Sequence, residues 1–292
     1  VLSYENYEQY QENPYYLGAI IGRVAGRIQN ASFKLNGNKY ILEANERNHH
    51  LHGGTKGFHR VIWETTPFQK ENIIGVKLSY VSPDGEVVYP GQVHATVTYT
   101  LTNHNEFIID YEAVSDQQTV LTLTNHTYFN LSGNLKNTIE NHIVQMNSDK
   151  ILKLDSELIP TGEILHATNT PFDFRNGKML AEGLHSNHPQ NMIVGNGYDH
   201  YFLLNDGTIN VREKSSGRVM TIKTNQPGVV MYTSNSLEEG VKLRGGVSKK
   251  YLGVCFETQG SPASLHHSGL PEIILEAGQK YEKQTVFSFH YE

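Results

Sequence analysis

Short runs in which apolar and polar residues alternate recur along the whole chain: FKLNGNKYIL, NIIGVKLSYV, HATVTYTL, EFIIDYEAV, TVLTLTN, GVVMYTS, LGVCFET and TVFSFHY. A period of two sends successive side chains to opposite faces, so each run reads as a strand buried on one side. The punctuation agrees: Asn36-Gly37 is a two-residue hairpin signal, Pro83-Asp84-Gly85 a turn, and Asp206-Gly207 a turn joining YFLL to TINV as consecutive antiparallel strands. No segment of ten or more residues carries a sustained helical stripe, and the one place for a short helix is around Leu17 to Ala25 in NPYYLGAIIGRVAGRI. Many strands with less than about a fifth helix point to an all-β chain, a large antiparallel β-sandwich or supersandwich whose two sheets pack face to face. No Pro-rich linker, composition break or repeat divides the sequence, so one domain over residues 1–292 is expected.

Composition narrows the function classes. With 24 Lys+Arg against 30 Asp+Glu and no basic run, the chain has no electrostatic footprint for nucleic acid. There is no apolar run of about 18 residues, so no membrane span is expected. A single cysteine, Cys255, excludes an internal disulfide and a multi-cysteine zinc site, and suits a cytoplasmic, reducing location. The chain opens on Val1 without a turn or cap, as though an upstream stretch had been lost. Phosphate cradles, dinucleotide fingerprints, the serine elbow, HExxH and calcium loops are all missing from the sequence, so no cofactor is expected.

What remains is histidine and carboxylate. The 15 histidines titrate near neutrality when unperturbed, and most of them must be bystanders. His126 lies in LTLTNHTYFNLSG, where an alternating run gives way to a polar loop; it is either a bonded corner histidine or a functional one. Glu257 sits in LGVCFETQG within an apolar strand, where alternation places it with Cys255 on one face, opposite Phe256. A carboxylate there needs an ion-pair partner or a task such as general base catalysis. In His49-His50-Leu51-His52-Gly53-Gly54, His50 and His52 would share a strand face, but no third or fourth metal ligand is evident, so no metal is expected. The glycine pair signals a sharp turn or close approach of the backbone to a ligand. Arg27 and Asp199, beside glycines, are of the planar type that holds vicinal hydroxyls, and the 17 tyrosines could supply an aromatic floor.

Taken in order, YLGAIIGRVAGRI, LHGGTKGFHRVIW, SPDGEVVYPGQ, LTNHTYFNLSG, IPTGEI with TPFDFR, YDHYF, TNQPGVVMYT and CFETQ resemble the aldose 1-epimerase (galactose mutarotase) family from about the first residues to the last strand. The resemblance implies a β-sandwich with a sugar in an open cleft on one sheet. It implies His126 as general acid, Glu257 as general base, His52 assisting at the reacting end of the sugar, and Arg27, Asp199 and Gln226 holding hydroxyls. Two departures stand out: Ala25-Gly26-Arg27-Ile28 where the family commonly reads ANRI, and GSPASLHHSGLPE after CFETQ, with Ala263 where an aspartate is common. The resemblance further implies opening strands, a first stretch on the order of 50 residues, that this sequence is expected to lack.

The implied reaction interconverts α and β anomers of free aldohexoses such as galactose and glucose. Glu257 takes the anomeric proton while His126, entering as imidazolium, protonates the ring oxygen, and the two flank the sugar across a gap as wide as its ring. The expected partner is a monosaccharide bound to a monomer or homodimer. Two other readings are a hexose-6-phosphate 1-epimerase, which needs more converging cations than Arg27, and a sugar-binding module without turnover, which would not need both His126 and Glu257.

Overall fold

The computed structural model describes residues 1–292. Two antiparallel sheets dominate it, one of nine strands and one of six. The chain is 43% strand and 9% helix, as the period-two pattern predicts; the α-helices are the single turns Ala181–Leu184 and Pro189–Ile193. No helix is long and apolar enough to cross a membrane.

The nine-stranded sheet is built around a meander of long strands, Glu64–Lys70, Ile73–Ser82, Val93–Thr102 and Glu106–Ser115, continued by the last strand, Lys280–Tyr291. In the six-stranded sheet the consecutive neighbours Tyr128–Phe129, Val254–Gln259, Gly228–Tyr232 and Asp199–Leu203 carry most of the site. Between the sheets lies a core of 33 buried residues to which both contribute, among them Val97, Ile109, Phe202, Val229, Met231, Val254 and Phe256. Each such side chain, withdrawn from water, favours the packed sheets by roughly 1.5–3 kcal/mol.

Alternation then fixes what the other face presents. With Val254 and Phe256 in the core, Cys255, Glu257 and Gln259 point away from it; with Val229 and Met231 in the core, Val230 and Tyr232 do the same. All of Val254–Gln259 is nevertheless buried, because loops from the first third of the chain cover this outer face.

Three local expectations meet different outcomes. Asn36-Gly37 does turn a hairpin between Ser32–Leu35 and Asn38–Ile41, with both residues at positive φ (50° and 77°). Asp206-Gly207 does not make a hairpin: Asp199–Leu203 belongs to the six-stranded sheet and Thr208–Glu213 to the nine-stranded one, so this turn carries the chain between sheets. The segment Leu17 to Ala25 is not helical either. Its backbone runs extended beside residues 122–126, with Ile20–Ile21 paired to Thr124–Asn125 and Ala25 N donating to Thr122 O. Gly18, at φ 66°, lies outside the right-handed helical region, and glycine is a poor helix former.

Candidate active site

A cleft of about 410 Å³ opens on the outer face of the six-stranded sheet. Its floor comes from alternate residues of three adjacent strands: Asp199 and Tyr201, then Val230 and Tyr232, then Glu257 and Gln259. Its walls are His126 with Tyr128, the segment around Tyr16, and the pair Arg27 and His52. Five residues named from the sequence, Arg27, His52, His126, Asp199 and Glu257, therefore converge although they span most of the chain.

His126 sits on the break between Thr124–Asn125 and Tyr128–Phe129. Its amide donates to Ala19 O (2.9 Å) and its carbonyl accepts from Gly18 N (3.0 Å), which clamps the loop. The ring lies lengthwise along the neighbouring strand, with Nδ1 3.6 Å from Cys255 Sγ and Nε2 3.5 Å from Glu257 Oε1. Acid and base are thus side by side, and the expected ring-wide gap between them does not exist. The ring oxygen and the anomeric oxygen hang from one carbon, so a sugar lying over both groups needs no such gap.

Burial sets the electrostatics. It lowers His126 to about 4, and it raises Glu257 well above the carboxylate range, helped by the Asp199 carboxylate and opposed by Arg27. Both shifts favour the uncharged forms, neutral imidazole and neutral carboxyl. Burial, reinforced by the neighbouring His126 and Arg27, pushes His52 well down too.

His52 follows the strand His50–Leu51, which pairs with Arg27–Ile28. Its Nδ1 accepts the Gly26 amide (3.1 Å) while its own amide donates to Gly26 O (3.1 Å). With Nδ1 accepting, neutral His52 carries its proton on Nε2 and presents a donor. Gly26 stands at φ 86°, a conformation that glycine adopts freely and asparagine tolerates, so the departure from ANRI keeps the backbone that holds His52. The doublet Gly53-Gly54 turns sharply, and a Cβ on Gly53 would collide with the Gly22 carbonyl, so the close approach is to backbone rather than to a ligand.

Arg27 meets Glu46 through two parallel bonds (Nε–Oε2 2.6 Å, Nη2–Oε1 2.8 Å) and lies 3.6 Å from Asp199 Oδ2 through Nη1. Burial alone would lower its pKa, but Asp199, Glu46 and Glu257 together raise it. Burial pushes Asp199 up against the opposing pull of Arg27.

Gln226 is not in the cleft. It is buried behind the sheet, with Nε2 bonded to Tyr281 OH (3.1 Å) and Leu123 O (3.4 Å), because the residue precedes the strand Gly228–Tyr232 and lies below its cleft-facing positions. The cleft glutamine is Gln259, whose Nε2 donates to Ala25 O (3.0 Å). Its place was legible: Cys255, Glu257 and Gln259 follow at period two on one face. Ala263 is buried beside Pro262, which lines the rim.

The three histidines at 49, 50 and 52 diverge. His49 Nδ1 accepts from Asn30 N (3.0 Å) and His50 Nδ1 contacts Glu43 O (2.7 Å). The companions that His52 lacks in sequence are supplied in space, for the ligand-type atoms of His52, His126 and Glu257 lie within 4.8 Å of one another. The bonding fits proton transfer better than a cation, since on His52 the Gly26 amide occupies one nitrogen and leaves the proton on the other.

Sequence comparison bears on this cleft directly, because the family model for aldose 1-epimerase matches residues 1–288. The chain belongs to the aldose 1-epimerase family. Members of this isomerase family that resemble it include the galactose mutarotase of Homo sapiens, 40% identical over 99% of this chain and 83% of the relative. The maltose epimerase of Levilactobacillus brevis is 33% identical over 96% of this chain and 81% of the relative. A crystal structure of galactose 1-epimerase from Lactobacillus acidophilus NCFM superposes with a TM-score of 0.90 at 30% identity, covering 100% of this chain and 85% of that one. As an aldose 1-epimerase, the chain is an isomerase acting on free aldoses.

Proposed function

We propose that this cleft interconverts the α and β anomers of a free aldohexose, galactose or glucose, by acid–base ring opening, with Glu257 and His126 as the proton-transfer pair. The observation that carries the reading is their adjacency at 3.5 Å in a cleft whose lining also holds the tyrosines Tyr16, Tyr128, Tyr201 and Tyr232 and the polar groups Arg27, Asp199 and Gln259. Glu257 takes the proton from the anomeric hydroxyl as His126 Nε2 gives one to the ring oxygen; the bond between the anomeric carbon and the ring oxygen breaks and the aldehyde forms. After rotation about C1–C2 the new hydroxyl attacks the other face of the carbonyl. His126 recovers its proton, and Glu257 returns its own to the anomeric oxygen.

The pair needs one proton in total, and ionising Glu257 to protonate His126 leaves its charge unchanged. A bound sugar favours that ionised form, because its anomeric hydroxyl donates to the carboxylate and its ring oxygen accepts from the imidazolium. His52, with Nε2–H as donor, assists at the same end, while Arg27 and Asp199 hold hydroxyls farther round the ring. Positioned acid and base contribute typically 10²–10⁴-fold each way. The cleft supports a neutral sugar over a hexose 6-phosphate because Arg27 is already paired with Glu46. The single, buried Cys255 suits a reducing cytoplasm, and one monosaccharide per cleft serves a monomer or homodimer alike. Polarimetry on freshly dissolved α-D-galactose tests the reading: the enzyme must speed the approach to the equilibrium rotation, and a rate equal to buffer sinks it.

A further inference from the structure

The Arg27–Glu46 pair does more than anchor a binding residue. Glu46 opens the turn 46–49, whose backbone closes through mutual bonds between Glu46 and His49, and its carboxylate lines the cleft wall. It engages Nε and Nη2 of Arg27 together, which is the bidentate geometry a bound carboxylate or phosphate would otherwise take. The third arm of Arg27 faces Asp199. The bidentate fork of the one cation in the depth of the cleft is thus filled by Glu46, and only the Nη1 arm, 3.6 Å from Asp199, is left for a sugar hydroxyl. The other lining cation, Arg47, is exposed at the rim, where water and salt screen it. Glu257 and Asp199 add further carboxyls and no counter-cation.

We propose that Glu46 sets the charge selectivity of the cleft: by filling the Arg27 fork and adding its own negative charge, it turns away sugars that carry a carboxylate in place of the exocyclic hydroxymethyl group. The inference rests on the reading of the cleft as a mutarotase site. A hexuronate has the same ring and the same anomeric carbon as the neutral hexose, so the Glu257–His126 pair would serve both equally and only charge separates them. Glu46→Gln keeps the shape and one bond to Arg27 while removing the charge and half of the fork. Its side chain is 31% exposed, so the change leaves no buried void.

The experiment follows anomer exchange of D-galactose by polarimetry and of D-galacturonate by NMR, in wild type and Glu46→Gln, and compares kcat/KM for the two sugars. The wild type should favour galactose, and the variant should reduce that preference by at least roughly tenfold, through a lower KM for galacturonate, the scale expected for a like charge several ångströms away in a partly buried site. An unchanged ratio in a variant that still melts cooperatively overturns the proposal. Independently of the variant, the wild-type preference should shrink when salt is raised to about 0.5 M, since charge repulsion is screened. A salt-insensitive preference, or equal binding of both sugars by the wild type in competition calorimetry, overturns it too. If the wild type fails to turn over galactose, the mutarotase reading falls instead, and the calorimetric comparison still decides the role of Glu46.

Discussion

His126 Nε2 lies 3.5 Å from Glu257 Oε1, on the same side of the same sheet, with both residues almost wholly buried. At that separation the two groups hold a common proton inventory and titrate as a pair rather than as independent residues. Replacing either should therefore disable both halves of the proton transfer. Glu257→Gln and His126→Asn are expected to lower kcat by at least about a hundredfold while KM stays within a few-fold, because each keeps most of the shape and hydrogen bonding but removes a titrating group. His52→Asn should cost less and divide its effect between kcat and KM. Stopped-flow polarimetry of α-D-galactose decides it, and a near wild-type rate for Glu257→Gln would exclude the mechanism.

The pH profile follows from the same pair. Turnover needs one shared proton. As pH falls through the lowered value of His126, about 4, the pair takes a second proton and the base is lost. As pH rises through the raised value of Glu257, the last proton leaves and the acid is lost. The profile of kcat/KM for the free enzyme should be bell-shaped, with its acid limb near about 4 and its basic limb well above the ordinary carboxylate range. An acid limb at the unperturbed histidine value, about 6.5, would mean that burial does not govern His126.

Much of the fold and the site was written in period-two spacing. Val254 and Phe256 on one face and Cys255 and Glu257 on the other could be sorted from LGVCFET alone, and the same count, carried two residues on, reaches Gln259. Sequence could not place Gln226, because it lies just outside its strand, where alternation no longer assigns a face. Nor could it show that Asp206-Gly207 changes sheets, since a turn residue records local backbone and not the partner of the strand that follows. The Arg27–Glu46 fork was hidden for a related reason: the two residues meet only because Arg27–Ile28 pairs with His50–Leu51, a long-range register.

Metal dependence offers a separate check. His52, His126 and Glu257 are close enough to hold a cation, but the Gly26 amide bond to His52 Nδ1 leaves the proton on Nε2, and coordination there would cost that bond or that proton. Dialysis against a chelator should leave kcat unchanged. Loss of activity on chelation, restored by stoichiometric zinc, would show that the trio is a metal centre.

Stability should fall on the acid side. Burial lowers His126 and His142 to about 4 and His200 to about 3, against about 6.5 in the unfolded chain. In that window the unfolded state binds more protons than the native one, so unfolding is favoured as pH falls from about 6.5 toward 4. The melting temperature should drop over this range, and His142→Gln should flatten part of the slope if it folds. A melting temperature constant between pH 6.5 and 4 would contradict the burial of these rings as neutral groups.

Gln226 provides the sharpest separation of structural from functional glutamine. Its amide bonds Tyr281 OH and the Leu123 carbonyl, both buried, and it has no place on the cleft surface. Gln226→Ala removes the donor to the Leu123 carbonyl and leaves Tyr281 OH with only its bond from Leu123 N, a loss of roughly 1–3 kcal/mol for an unsatisfied buried partner. Denaturant unfolding should show that loss, while KM for galactose stays within about twofold at a temperature where the variant remains folded. Gln259→Ala should do the reverse in part, because Gln259 borders the cleft and steadies the Ala25 carbonyl two residues before Arg27, so KM is expected to rise. A Gln226→Ala enzyme of normal stability and raised KM would restore Gln226 to the sugar site.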